Sequence, residues 1–257
     1  LNEGNMTTEN GSLIYIDRKG AIYDYVFKTV NNRELGNVTQ DLFIYEDLLF
    51  IISQNGKKNP VGTEFDNDGK LTVANAETLE GVASFDDELS SLSWPTHLAV
   101  LDKEHIYIRD NNGVHLFNLN SKNVQLIANT RGADKNRMAV SAGKVFVPAG
   151  KKILVFDKAQ ALTVAYTLNL DEKVTGVLRC DEESIWVSTV GKVSKIHKIS
   201  SETYETIKVN EVNLGSVSNG PASTPGITAI GNILYYSGAG TKIHSHNFDT
   251  GESKFLI

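Results

Sequence analysis

The sequence predicts an all-β fold, a β-propeller of four-stranded antiparallel blades, with about six blades visible in the chain and a six- or seven-bladed ring. Three observations predict it. One strand-turn-strand pattern recurs five times, each copy is followed by a second hairpin whose apolar residues alternate with period two, and the copies are spaced at about the length of one blade.

The five inner pairs are DLFIYEDLLFIIS, THLAVLDKEHIYIRD, NRMAVSAGKVFVPA, TGVLRCDEESIWVST and PGITAIGNILYYSG. Aligning their turns places Phe50, Tyr107, Phe146, Trp186 and Tyr235 in one column, separated by 57, 39, 40 and 49 residues. A blade repeats every 40 to 50 residues or so, and the excess lies in loops. The outer hairpins are KLTVANAETLEGVASF, GVHLFNLNSKNVQLIA, KKILVFDKAQALTVAYTL, KVSKIHKISSETYETIKV and TKIHSHNFDTGESKFLI, and period two marks strand rather than helix. An earlier hairpin, SLIYIDRKGAIYDYVF, precedes the first full copy, and LNEGN takes the place before it that FIISQN takes in the next repeat. LNEGN therefore reads as the end of an inner strand. Either a strand from beyond Ile257 completes that first blade, or the strands meet directly around one imperfect blade. The expected division is a single propeller domain over 1–257, with a partial blade at 1–37 and blades at 38–90, 91–132, 133–172, 173–220 and 221–257.

The composition, 40% apolar and 22% charged over 257 residues, is that of a globular chain with ample length for a core. The net charge of -6 is spread along the sequence without like-charge runs, so neither nucleic acid nor an anionic membrane is an expected partner. No stretch approaches the roughly 18 apolar residues of a transmembrane segment, and LNEGNMTTENG is too polar for a signal, so any export signal or lipid anchor belongs upstream of Leu1. Cys180 is the single cysteine, which leaves no internal disulfide and no thiolate metal cluster, and it reads as structural.

Propellers bind ligands on the face formed by the loops that lead into the innermost strand and out of the second one, because those loops converge from every blade. Nine or ten residues before the aromatic column stand Gln40, His97, Arg137, Gly176 and Gly226. The glycines leave room, and the Gln, His and Arg offer hydrogen bonds or positive charge to a polar guest, or merely solvate the channel. The second strands end at Gln54, Asn55, Arg109, Asp110, Asn111, Ala149, Thr189 and Gly238, with long linkers near 55–69 and 210–224. Trp94, beside Pro95 in SFDDELSSLSWPTH, suits stacking on a flat ligand or sugar ring, or else plugs the gap between two blades. The candidate ligand-binding set is thus Gln40, Asn55, Trp94, His97, Arg109, Asn111 and Arg137.

Two further motifs read as structural. The D-x-D-G of EFDNDGKLTVAN resembles a calcium loop, but the twelfth position from Glu64 is Asn75 and a hairpin follows at once, so Asp68-Gly69 is turn chemistry. His244 and His246 share one strand face without a third ligand, which favours an exposed face over a metal site. No G-x-S-x-G, phosphate-cradling glycine loop or acid and base pair is present, so neither catalytic residue nor cofactor is assigned.

The opening LNEGN, then SLIYID, then the run Asn32-Arg33-Glu34-Leu35-Gly36-Asn37-Val38-Thr39-Gln40 ahead of an inner strand, resembles the YncE-like, surface-layer-protein-like propellers of gut Bacteroidales. The resemblance implies an exported protein, commonly an outer-membrane lipoprotein facing outward or a periplasmic protein, associated with nutrient uptake through a TonB-dependent outer-membrane transporter. One member type captures cobalamin, and such propellers are usually seven-bladed. The expected function is non-catalytic capture of a small molecule, glycan or protein on the loop face. The alternative is a propeller enzyme of lyase, hydrolase or quinone-dependent dehydrogenase type with its site at the central axis.

Overall fold

In the computed structural model the described residues are 1–57, 67–212, 226–237 and 242–257. They form two compact units, Leu1–Leu126 and Ile127–Ile257.

The first unit begins with a narrow antiparallel pair in which Asn2 faces Ser12 and Asn5 faces Glu9. LNEGN thus pairs with the segment after it, as a second strand pairs with the third. The next hairpin is short: β1 (Tyr15–Ile16) and β2 (Ile22–Tyr23) pair over two residues each, Tyr15 opposite Tyr23. The expected continuation of that strand through Val26 and Phe27 is instead a helix, α1 (Val26–Asn31), bounded by Tyr25 and Asn32 in the left-handed region, with Phe27 buried. Phe27 packs with Leu13, Leu35, Leu49 and Ile51, so burial of one large ring fixes the turn of helix where period two alone suggested strand.

Two four-stranded blades follow. β3 (Asn37–Tyr45), β4 (Leu48–Gly56), β5 (Leu71–Asn75) and β6 (Gly81–Phe85) form one, and β7 (His97–Asp102), β8 (His105–Asp110), β9 (Gly113–Asn118) and β10 (Asn123–Leu126) the other. Their facing sides share one core, in which Phe50, Ile52, Leu71 and Val73 of the first blade meet Leu98, Ile106, Ile108 and Phe117 of the second.

The second unit holds three more blades of the same order. They are β11 (Ala139–Ser141), β12 (Lys144–Ala149), β13 (Lys152–Asp157) and β14 (Tyr166–Asn169); then β15 (Lys173–Arg179), β16 (Ser184–Val190), β17 (Ser194–Ser200) and β18 (Thr206–Val212); then β19 (Ile227–Ile230), β20 (Ile233–Ser237), β21 (Ile243–Asn247) and β22 (Ser253–Phe255). Among the described residues there are thus five four-stranded antiparallel sheets, each with its strands in sequence order, and one two-stranded sheet.

The aromatic column is buried at Phe50, Tyr107, Phe146 and Trp186, while in the last blade Tyr236 takes that role and Tyr235 stays half-buried. Trp186 lies edge-on to Phe248 at 4.4 Å between ring centroids, and the Lys198 ammonium sits 5.6 Å from the Trp186 ring centre. Lys122 over Phe85, Lys144 over Tyr204 and Lys208 over Phe248 repeat that arrangement, and the Lys144 and Lys208 ammonium groups also donate to Ser201 O and Phe248 O.

Four outer hairpins close with the same device. Asn75, Asn118, Ser200 and Asn247 each accept backbone N–H bonds from the residues two and three ahead, and four residues on the chain passes through the left-handed region at Leu79, Lys122, Tyr204 and Gly251. A short polar side chain that mimics a backbone turn is the reason Asn and Ser recur there.

Candidate functional site

The hairpin registers define which side chains share the inner-strand column. His97 lies opposite Arg109, Gly176 opposite Ser188, and the Ser237 N–H donates to Gly226 O, each two residues past the aromatic column. In the first full blade the residue in that place is Asp41, opposite Ile52, and not Gln40. β3 carries two register shifts around Thr39, with Val38 at φ 58°, so Gln40 is the bulged residue. A β-branched residue in the left-handed region is strained and is held only by its surroundings. Gln40 turns its amide onto the Glu3 carboxylate, while Asp41 is buried and accepts the Leu98 N–H at 3.4 Å across to the next blade.

The remaining predicted residues separate by exposure. Trp94, His97, Arg109 and Asn111 gather at one end of the β7–β8 hairpin, where the Asn111 N–H donates to Ser93 O and the Thr96 N–H to Arg109 O. His97 and Arg109 are 3% and 7% exposed, with Arg109 Nη1 donating to Thr96 Oγ1 at 3.3 Å. Trp94 is 42% exposed with φ 53° and does not plug a gap between blades. Asn111 and Arg137 are exposed, Arg137 in the second unit. Asn55 is half-buried and donates to Asn37 Oδ1 at 2.7 Å. Asp110 anchors the hairpin end: it accepts from the Ser93 and Asn112 N–H groups at 2.7 Å, and His115 Nε2 lies 2.9 Å from its Oδ1.

The secondary motifs are also placed. Asp68 is buried, its Oδ1 accepting the Gly69 N–H and its Oδ2 accepting Nε of the partly exposed Arg33 at 3.3 Å. Glu64, Gly238 and most of the two long linkers lie outside the described residues. His244 and His246 are buried rather than exposed; His246 Nδ1 is 2.8 Å from Ser253 Oγ, and the Asn210 amide lies 3.0 Å from its Nε2. Among the described residues no group of three His, Cys, Asp or Glu side chains could hold a metal ion, and no helix is long and apolar enough to cross a membrane. Burial pushes the Cys180 thiol above its ordinary value, which favours the protonated form.

The site that sequence reasoning missed lies on the predicted loop face of the β15–β18 blade. It is a polar recess of about 380 Å³ between the β14–β15 connection and the ends of β16 and β17. Thr189, wholly buried, forms its floor: Oγ1 is 3.1 Å from His197 Nε2 and donates to Glu172 Oε2 at 3.3 Å. Lys195 Nζ donates to the other Glu172 oxygen at 3.4 Å. Gly191 makes this packing feasible, because a Cβ there would stand 2.5 Å from the Glu172 carboxyl carbon. Burial, aided by the Lys195 charge, holds the His197 imidazole below its ordinary value against the opposing pull of Glu172 and Asp171. The recess therefore offers an ammonium donor, a carboxylate acceptor and a neutral imidazole within one small volume. Of its residues, only Thr189 was singled out in the sequence. The signal available was Lys195 and His197, two apart on one strand face directly after the Gly191-Lys192 turn.

Five consecutive four-stranded antiparallel blades with a loop-face recess define the class of protein as a β-propeller. The chain belongs to the family described as a domain of unknown function, DUF5074, which it matches over residues 1–257. No curated protein matches it. Among solved structures it is similar to BamB from Moraxella catarrhalis, with a TM-score of 0.53 and 14% identity over 83% of this chain and 62% of that one. It is similar as well to the computationally designed Ika8 protein, with a TM-score of 0.52 and 15% identity over 86% of this chain and 61% of that one. The chain spans about three fifths of the length of each, and at such identity the likeness concerns the fold alone.

Proposed function

We propose that the chain is a non-catalytic binding module that captures a small polar ligand in the Glu172–Lys195–His197 recess. The observation that carries this reading is the recess itself, because it is concave, sits on the face where propeller loops converge, and presents charged donor and acceptor groups set by a buried hydroxyl. The resemblance of LNEGN and of Asn32 to Gln40 to exported propellers supports placing this capture at the cell surface or in the periplasm, with a TonB-dependent transporter as the receiving partner. An enzyme reading would need an activated nucleophile beside the Glu172 carboxylate and the His197 imidazole. The hydroxyl that touches His197 belongs to Thr189, which is 0% exposed and bridges two side chains, so it acts as a positioning group.

The test is a thermal-shift screen of the purified chain against cyanocobalamin and panels of plant and host glycans. Stabilisation by one of them, lost in Glu172→Gln and Lys195→Met, is the expected result. An absence of stabilisation by every compound at saturating concentration would overturn small-ligand capture and favour a protein partner.

A further inference from the structure

A second cleft, in the first unit, has a different chemistry and belongs to a different ligand. It has a volume of about 650 Å³ and lies between the β1–β2 hairpin, helix α1 and the Ala76–Leu79 turn. Tyr15 and Tyr23 stand opposite each other in the hairpin, their ring centroids 5.9 Å apart and their planes at 31°, and they remain 54% and 50% exposed. Two large rings side by side on a ribbon of two-residue strands are costly to leave in water, since so short a hairpin has little packing of its own. Val26 and Val30 of α1 and Leu79 complete an apolar wall.

The polar groups around that wall decide its guest. Among the described residues three carboxylates line the cleft, Asp17, Asp24 and Glu77, and no Lys, Arg, His, Asn or Gln does so. An anionic ligand would meet three like charges. A saccharide needs donors as well as acceptors for its hydroxyls, and among the described residues the tyrosine and Thr29 hydroxyls are the only side-chain donors in the lining. An organic cation matches both features, because its apolar body lies on the ring faces, which attract positive charge, and its charge faces the carboxylates.

We infer that this cleft binds an organic ammonium ion, the Tyr15 and Tyr23 rings carrying its alkyl groups and Asp17, Asp24 and Glu77 balancing its charge. It shares no lining residue with the recess around Glu172.

The experiment is an amide-resolved NMR titration of the full chain with choline and with its neutral isostere 3,3-dimethyl-1-butanol. Choline should shift the signals of Tyr15, Tyr23, Val30 and Leu79, about tenfold more tightly than the isostere, and more weakly as salt rises. Asp24→Asn, which leaves the rings in place, should weaken choline several-fold, and Tyr23→Ala should abolish the response. If Tyr23→Ala fails to fold, Tyr23→Leu keeps the apolar bulk while removing the ring, and it should show the same loss. Equal affinity for choline and the isostere, shifts confined to other residues, or displacement of choline by a neutral glycan would overturn the assignment.

Discussion

Asn55 donates its side-chain amide to Asn37 Oδ1 at 2.7 Å, and Asn37, 1% exposed, passes its own amide to Asn5 O and Asn10 Oδ1. Asn10 in turn donates to Glu34, which holds Lys28 at 2.7 Å. Two of the three stretches on which the resemblance to exported propellers rests, residues 1–5 and 32–40, are therefore clamped together by a chain of amides around the start of β3. Asn37→Ala should cost about 1 to 3 kcal/mol, because it strands buried amide partners. Asn55→Ala should cost less, since Asn55 is only half-buried. Urea denaturation of both variants measures the difference, and neither should alter ligand capture in the second unit.

Trp186 is 1% exposed, packed edge-on against Phe248 and capped by Lys198. Its truncation leaves a cavity between the β15–β18 and β19–β22 blades, where Ile196, Val212, Leu234 and Tyr236 complete the cluster. Trp186→Ala should lower stability by about 3 to 5 kcal/mol, read from the denaturation midpoint. By contrast, Trp94→Ala should cost less, because that residue is 42% exposed.

His197 and His246 are both held below the ordinary histidine value of 6.5, each chiefly by burial and then by a neighbouring lysine, Lys195 or Lys208. A depressed value in the folded state means that the unfolded chain takes up protons first as pH falls. Stability from these groups is therefore complete above about pH 6.5 and is lost as pH drops through their folded values. The Asn210 amide donates to Phe248 O and points at His246 Nε2, so a protonated imidazole would set two donors against each other. Melting temperature measured from pH 7 to pH 5 should fall more steeply in the wild type than in His197→Gln with His246→Gln.

Gly191→Ala is the most selective probe of the recess. The added methyl would meet the Glu172 carboxyl at 2.5 Å, and that carboxyl is the far end of a flexible side chain, so the chain folds as before while the carboxylate leaves its place between Thr189 and Lys195. Stability should change by no more than about 0.5 kcal/mol. Binding of whichever compound stabilises the wild type should fall by about tenfold or more, measured by calorimetry.

The blades were legible in the sequence because their signals are local and repeated. Period two gives the strands, two-residue turns such as Ala142-Gly143 give the inner hairpins, and the polar residues at 75, 118, 200 and 247 give the outer turns. What escaped depends on contacts between elements. Nothing in Val38 announces a bulge, yet that bulge moves Asp41 into the column where Gln40 was expected. Helix α1 forms where burial of Phe27 outweighs the alternating pattern. His97 and Arg109 have the chemistry of ligand contacts, but the strand ends that carry them are buried. The recess itself joins Glu172 from one connection to Thr189, Lys195 and His197 from two strands, and no spacing within a single motif encodes that meeting.

Ligand capture by the Glu172–Lys195–His197 recess can be read directly from binding heats. Its most direct measurement is isothermal titration of the compound that most stabilises the wild type, carried out in parallel on the wild type and on Glu172→Gln with Lys195→Met. A single site is expected, with its affinity at least about tenfold lower in the variant and the melting temperature kept. Equal affinity in the two proteins would contradict it.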